Sequence, residues 1–585
     1  ADFGARLPAS SDAVGLWWAS SGWKISDSRP LPDRKDKALC IQAARNETEA
    51  AQLVVRPRAA LRGLTASVEP LEGPGGAAIG GENVEVLRVR YVPVTRPTDR
   101  TGAVAPWPDP LPPFAGPIDV AANKNQPLWV RVRVPEDAPA GVYRGAVVVR
   151  AEGYEARAPV EVEVFDFTLP NRKTCVTAFG FSAGLAFRYH GVTGPEQKRQ
   201  VHEQYLAALS AHHITPYDPA ALDPIEYAWP EIPKDRPLTP EEVAALKPTF
   251  QWDAWDRAMT RAFDQYHFTS FRLGVPGMGG GTFHSRHEPE LLGFREDTPE
   301  YQALFTSWCR QVEEHLRAKG WLENAYVYWF DEPDPKDYAF VMNGFRKLAE
   351  AAPGIPRMLT EQVEEELVSG PNIWCPVTPE YNHEAAEARR AAGDRFWWYV
   401  CTGPKAPYVT LFIDHPGTEM RVWLWQTWQR KIDGILIWQT NYWHSPEAYP
   451  DQLQNPYEDP MGWTTSYSTP SGARIPWGNG DGRFLYPPEA AADGNPSQPV
   501  IDPPVDCIRI EMIRDGIEDY EYLALLRGLI ESKGDAIPPQ EHAAYEALLL
   551  VPEDITASMT EFTKDPAPIE RRREEIARAI ERLSR

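Results

Sequence analysis

Basic charge is scarce in this chain. Its 585 residues hold 60 Lys and Arg against 83 Asp and Glu, a formal charge of −23. A nucleic acid or an anionic membrane surface would be repelled; a neutral substrate is not excluded, and solubility alone accounts for the charge. Cysteine is scarce too. The six cysteines, at 40, 175, 309, 375, 401 and 507, show no CxxC or zinc-type spacing. That pattern argues against a metal or redox centre, and no metal or organic cofactor is expected. Cys375 and Cys401 fall near the ends of neighbouring candidate strands, and free buried thiols are expected there rather than a disulfide. Long apolar runs are missing: no segment offers the ~18 uninterrupted apolar residues of a membrane span. The opening ADFGARLPAS lacks a basic start followed by an apolar stretch, so no signal peptide is read there. A secreted or periplasmic protein is nevertheless the expectation, since a trimmed chain would look the same. Oligomeric state leaves no mark.

What is present is aromatic. Twenty-one Trp and 23 Tyr form an aromatic-rich set, most of which reads as core. Their faces stack on the C–H faces of sugar rings while their polar tips still hydrogen-bond. The length predicts two to four domains. Residues 1–170 read as an all-β sandwich. In QPLWVRVRVP (126–135), Leu128, Val130, Val132 and Val134 face one way and Trp129, Arg131 and Arg133 the other. The proline-rich PWPDPLPP (106–113) reads as a stiff surface connection or as an arm over the next domain.

From residue 173 strand and helix patterns alternate. Candidate strands are 174–181, 214–218, 270–276, 325–331, 357–362, 372–377, 396–402 and 434–441. Helical periodicity falls between most of them, at 298–319, 336–352 and 417–432 for example. Eight such units predict a (β/α)8 TIM-type barrel over 171–530, with insertions at 219–249 and 444–500. The second insertion follows the last strand and so belongs on the catalytic face. A final helix, 508–526, shows a stripe of Ile513, Ile517, Tyr520 and Ala524, with Arg514 spaced to pair with Glu511 and Glu518. Residues 531–585 read as a short helical extension with a basic outer face at Arg571 to Arg573.

The candidate chemistry sits in YVYWFDEP (326–333). An aromatic strand ends in Asp331 and Glu332, and Pro333 stops it. In a barrel of this kind the C-terminal strand ends carry the catalytic groups. Glycosidic cleavage needs an acid for the leaving oxygen and a group to stabilise the anomeric carbon, usually a second carboxylate. The seventh strand ends FWWYVCTGPK, with no carboxylate. Asp414, Glu361 and Asp218 are the remaining candidates. The missing nucleophile points to a substrate that supplies its own, a 2-acetamido sugar. Glu332 is then the acid/base, and Asp331 orients the acetamido group. Burial among Trp329 and Trp438, together with the Asp331 charge, is expected to raise the pKa of Glu332. Two rival readings stay open: a glycosidase for another sugar pairing Glu332 with Glu361 or Asp414, and a non-catalytic carbohydrate-binding protein.

YVYWFDEP, GILIWQTNYW (434–443), GNGDGRFLYP (478–487) and IRIEMIRDGIEDYEYL (508–523) together resemble glycoside hydrolase family 123. NETEAAQLVV (46–55) and PEDAPAGVYRG (135–145) match more loosely. The resemblance implies a β-N-acetylgalactosaminidase acting by substrate assistance on glycans or glycolipids. It also implies an N-terminal β-sandwich before a (β/α)8-type domain, and a catalytic dyad that maps onto Asp331 and Glu332. By position, Trp438 would wall the acetamido pocket and Asn441 would bond a sugar hydroxyl. Tyr399 would aim the acetamido carbonyl. Tyr381 with Asn382, Trp443, Asp481 and Tyr486 are further contacts, with turn formation by Gly480-Asp481-Gly482 an equal reading for Asp481. His415 beside Asp414 reads first as a solvated loop histidine and second as a sugar contact.

Overall fold

The structure, a computed structural model, describes residues 3–464, 470 and 472–585. Part of the 444–500 insertion, 465–469 and 471, therefore lies outside the described residues, as do the first two residues of the chain.

The N-terminal domain is rich in sheet. One sheet runs Ala5–Arg6, Val14–Ser20, Thr48–Pro57, Gln126–Arg133, Val84–Arg88, antiparallel throughout. The path of the other is Ile118–Val120, Leu61–Val68, Gly141–Ala151, Tyr154–Thr168, Leu39–Arg45. Only its last pair is parallel. Leu128, Val130, Val132 and Val134 enter a core shared with Tyr143, Val147, Val149 and Val162, as the alternation predicts. On the opposite face only Arg133 is exposed. Trp129 joins the core of the following domain, and Arg131 pairs with Asp506 at 2.8 Å and Glu511 at 2.6 Å.

In the second domain five parallel strands form one continuous sheet, in the order Val176–Phe179, Gly434–Ile437, Arg395–Tyr399, Ile373–Trp374, Met358–Leu359. This is half of a barrel. The other candidate strands, like Ile373–Trp374 and Met358–Leu359 within that sheet, are shorter than expected. Phe271–Arg272 pairs with Ala325–Tyr326. Single bridges join Phe179 to Pro216 and Val327 to Arg357, and the Arg272 amide donates to the Tyr217 carbonyl at 2.8 Å. The shortness has a local cause: Pro216 and Pro356 have no amide proton to give to a ladder. Helices Pro299–Lys319, Tyr338–Ala351 and Thr418–Gln429 lie where periodicity places them. Ala178, Tyr326, Met358, Ile373, Cys375, Trp397, Tyr399 and Leu436 pack together inside the sheet's curve.

The helix Ile508–Lys533 does not follow a single buried stripe. From Ile508 to Leu523 every residue is buried, including Arg509, Glu511, Arg514, Asp515, Glu518 and Asp519. It is sheltered by the sheet domain on one side and by Thr418–Gln429 on the other. The last helix, Ala567–Ser584, is likewise no loose extension. Arg573, expected on its outer face, is buried and reaches Glu47, Glu49 at 3.2 Å and Asp519 at 3.3 Å. PWPDPLPP crosses between the domains: Asp109 is fully buried in an ion pair with Arg509 at 2.9 Å.

Candidate active site

Tyr326 and Tyr328 point into the interior. By strand alternation Trp329 points away, against Phe340, Phe345 and Gly344 of the Tyr338–Ala351 helix. Trp329 therefore does not wall the site. The chain then forms a two-residue strand, Phe330–Asp331, paired in parallel with Gly280–Thr282 through Gly281 and Thr282. Glu332 leaves it with φ = 44°, left-handed backbone that a residue with a side chain adopts only when held there.

What holds it is Thr360, at the end of the neighbouring strand. The Glu332 amide donates to Thr360 Oγ1 at 3.0 Å, and Thr360 Oγ1 donates to Asp331 Oδ1 at 3.0 Å. The Tyr328 hydroxyl donates to the same carboxylate oxygen. Glu332 accepts a hydrogen bond from the Tyr399 hydroxyl. Burial raises the proton affinity of Glu332, the Tyr399 bond lowers it, and the Asp331 charge raises it again, for a net upward shift. Beside them Glu361 is pushed up to about 8, by burial first and then by Glu364 and Glu332.

On the strand end after Gly434–Ile437, Trp438 is half-buried. Its Nε1 donates to Asp481 Oδ1 at 3.1 Å, and its ring lies 5.0 Å from Tyr442 and 5.6 Å from Trp477. Asp481 is buried, and its Oδ2 has no partner. Burial lifts its pKa to about 6 against the Trp438 bond and the nearby Lys405. Burial, with the charges of Asp481 and Glu332, pushes the thiol pKa of half-buried Cys401 up to about 12. All six cysteines are free.

Of the residues singled out from sequence, Asp331, Glu332 and Tyr399 thus meet, and Trp438 and Asp481 form a second cluster at an adjacent strand end. The rest are engaged elsewhere. Asn441 is buried, with Oδ1 taking the Ser182 amide and Nδ2 giving to the Ser182 carbonyl, both at 2.9 Å. It clamps the first strand's loop and has no free atom for a sugar hydroxyl. Trp443 is wholly buried on Tyr189 and donates to the Leu485 carbonyl. Tyr381 packs on Trp398 and bonds the Arg430 carbonyl at 3.0 Å. Asn382 caps the helix behind it. Tyr486 bonds Asp109 at the domain boundary. Asp414, offered as a partner for Glu332, is held by the amide and hydroxyl of Thr98, each at 2.6 Å. His415 is buried between Asp99 and Glu419, not solvated. Sequence reasoning missed Tyr328, Thr360 and Trp477. Tyr328 alone had a signal, its even spacing from Tyr326.

Two carboxylate clusters among the described residues have cation-binding spacing, His212–Asp506–Glu511 and Glu47–Glu49–Glu518. Arg131 already sits in the first and Arg573 in the second, so a guanidinium holds the place of a metal in both.

Two family models match the chain: the glycoside hydrolase 123 catalytic domain over residues 284–526 and the glycoside hydrolase 123 N-terminal domain over residues 18–151. Together they take in well over half of it. The chain belongs to glycoside hydrolase family 123. The family is one of glycosidases, so a carbohydrate is the substrate. A solved family 123 glycoside hydrolase from Clostridium perfringens, described in terms of glycolipid glycan hydrolysis, has the same fold. It superposes with a TM-score of 0.67 at 14% identity, over 98% of this chain and 100% of that one. A β-glucuronidase from Parabacteroides merdae aligns at 7% identity over 67% of this chain and 45% of its own, with a TM-score of 0.22 that carries no argument. No curated protein sequence aligns significantly with the chain.

Proposed function

We propose that this family 123 member is a retaining exo-β-N-acetylgalactosaminidase. It removes terminal β-linked N-acetylgalactosamine from glycans or glycolipids by substrate assistance, on a (β/α)8-type frame behind a β-sandwich. The observation that carries the reading is the asymmetry of two adjacent carboxyl groups. Asp331 Oδ1 receives two O–H donors, an arrangement suited to an oxygen without a proton. Glu332 is pushed by burial towards keeping its proton. One acid and one anion, side by side, match the two tasks.

Glu332 gives its proton to the glycosidic oxygen as the C1–O bond breaks. The acetamido carbonyl oxygen forms the new bond to C1, closing an oxazolinium ring, while Asp331 accepts the acetamido N–H and stabilises the positive ring. The Glu332 carboxylate then takes a proton from water. That water attacks C1 and reopens the ring with net retention. Trp438, with Tyr442 and Trp477 behind it, supplies the aromatic wall, and Asp481 bonds a sugar hydroxyl.

Turnover of p-nitrophenyl 2-acetamido-2-deoxy-β-galactoside tests this. Wild type should hydrolyse it, and Glu332→Gln should lose roughly 10²–10⁴-fold in kcat. Equal turnover in the variant would overturn the assignment. One observation favours a second reading. Glu361 holds its proton to about 8 beside Glu332, so Glu361 could serve as acid with Glu332 as nucleophile. Faster turnover of the corresponding substrate without the acetamido group, lost in Glu361→Gln, would select it.

A further inference from the structure

We propose that Thr360 is the positioning residue of the dyad: its one hydroxyl sets the geometry of both carboxyl groups at once. The inference rests on the Asp331–Glu332 reading above. Thr360 follows the Met358–Leu359 strand, whose Met358 amide bonds the Val327 carbonyl at 3.0 Å. That parallel register brings residue 360 level with the end of the dyad's strand, where Thr360 is buried. A threonine hydroxyl has one proton and two lone pairs. The Glu332 amide occupies a lone pair at 3.0 Å, so the proton is free to point to Asp331 Oδ1, also at 3.0 Å. The chain then runs from amide to hydroxyl to carboxylate, with the Tyr328 hydroxyl beside Thr360 on the same oxygen.

Two consequences follow. The bond to its amide holds Glu332 at φ = 44°, turning its side chain back across the barrel mouth to Tyr399. With Tyr328 also on Oδ1, the carboxylate of Asp331 is locked in rotation, and Oδ2 is the oxygen left to meet the acetamido N–H. On the far side the same peptide is pinned by Gly281 and Thr282. The dyad's backbone is thus clamped between two neighbours, and only the Thr360 side reaches a reacting atom.

The test compares Thr360→Val, Thr360→Ser and Thr360→Ala, with Glu332→Gln and Asp331→Asn as references, on the p-nitrophenyl substrate. Thr360→Val is expected to lose roughly 10²-fold in kcat, the scale of a misplacement of about 1 Å, at nearly unchanged KM. Thr360→Ser should recover most of that rate. Combined with Asp331→Asn, Thr360→Val should cost less than it does alone, because the part of its effect that passes through Asp331 is already lost and only the part through the Glu332 amide remains. Should Thr360→Val fail to fold, Ser and Ala differ by the single oxygen at issue, and their kcat ratio gives the same answer. Wild-type kcat in Thr360→Val, equal rates in Ser and Ala, or full additivity with Asp331→Asn would each overturn the proposal. A failure of the underlying dyad reading looks different: Glu332→Gln would then keep its turnover. Loss in Glu332→Gln with none in Thr360→Val rejects the Thr360 role alone.

Discussion

At the residue scale, the informative contact is the one Tyr399 makes. Its hydroxyl donates to Glu332 and so favours the charged form of a group that burial and Asp331 push towards neutrality. Tyr399→Phe removes the one opposing influence. The pKa of Glu332 should rise further, and under the proposed mechanism, in which Glu332 is the acid, activity should persist to higher pH. We expect the alkaline limb of the kcat profile to move up by about one unit, the equivalent of one hydrogen bond to a charged group. A limb that stays in place, or moves down, would show that the phenol faces the substrate and not Glu332. The placing of Asp331 and Glu332 at a strand end was legible in the sequence because a strand ending in two carboxylates and a proline is a local pattern. Thr360 was not: a lone threonine before Glu361 has no pattern, and its role exists only once the strands lie in parallel register.

At the element scale, the loop from Gly478 to Gly482 decides where the aromatic wall stands. Gly480 has φ = 85°, and a Cβ there would lie 2.7 Å from the Arg509 guanidinium carbon. Gly482 has φ = 70°, and a Cβ there would lie 2.7 Å from Trp438 Cζ2. The segment is thus both a turn and a support for Asp481 and Trp438. Gly482→Ala adds left-handed strain of about 1–2 kcal/mol and displaces the indole. The measured result should be a KM about tenfold higher, a loss near 1.4 kcal/mol in binding, with a modest drop in melting temperature. An unchanged KM would remove Trp438 from the sugar site. The helices and the continuous half of the parallel sheet could be read from periodicity, which is a property of neighbours in sequence. The shortness of the other strands could not, because it depends on which amides find partners across the sheet. The same holds for Asn441, Trp443 and Tyr486: they lie at or near the strand end expected to bear the site, but tertiary contacts consume their polar atoms.

At the scale of the whole molecule, the domains are joined through a buried charge network around Ile508–Lys533, and that network holds more acid than base. Glu47, Glu49, Glu511, Asp515, Glu518 and Asp519 face Arg131, Arg421, Arg514 and Arg573. Glu518 shows the excess most clearly. One of its oxygens accepts from His213 Nε2 at 2.9 Å and from the Thr48 amide at 3.4 Å, while Oε2 has no hydrogen-bond partner and Arg514 Nε stands 4.0 Å away. Burial and the charges of Glu47 and Asp515 raise its pKa well above 4.5, against Arg514 and Lys173. A carboxyl group whose pKa is higher folded than unfolded binds more protons when folded. Its effect is absent below about 4.5 and destabilises increasingly as pH rises from there towards the folded value. Glu518→Gln keeps an oxygen for His213 and Thr48 and places a permanent donor where the proton was. The variant should melt with wild type at pH 5 and be more stable at pH 8.5 by about 1–3 kcal/mol, the range for relieving one buried unsatisfied group. His213 titrates with the opposite sign, since burial holds its pKa well below 6.5, so the difference between the two proteins, not the wild-type curve alone, is the readout. A gap that stays constant across the pH range would mean that Glu518 is ionised in the folded protein and that the arginines already neutralise the network.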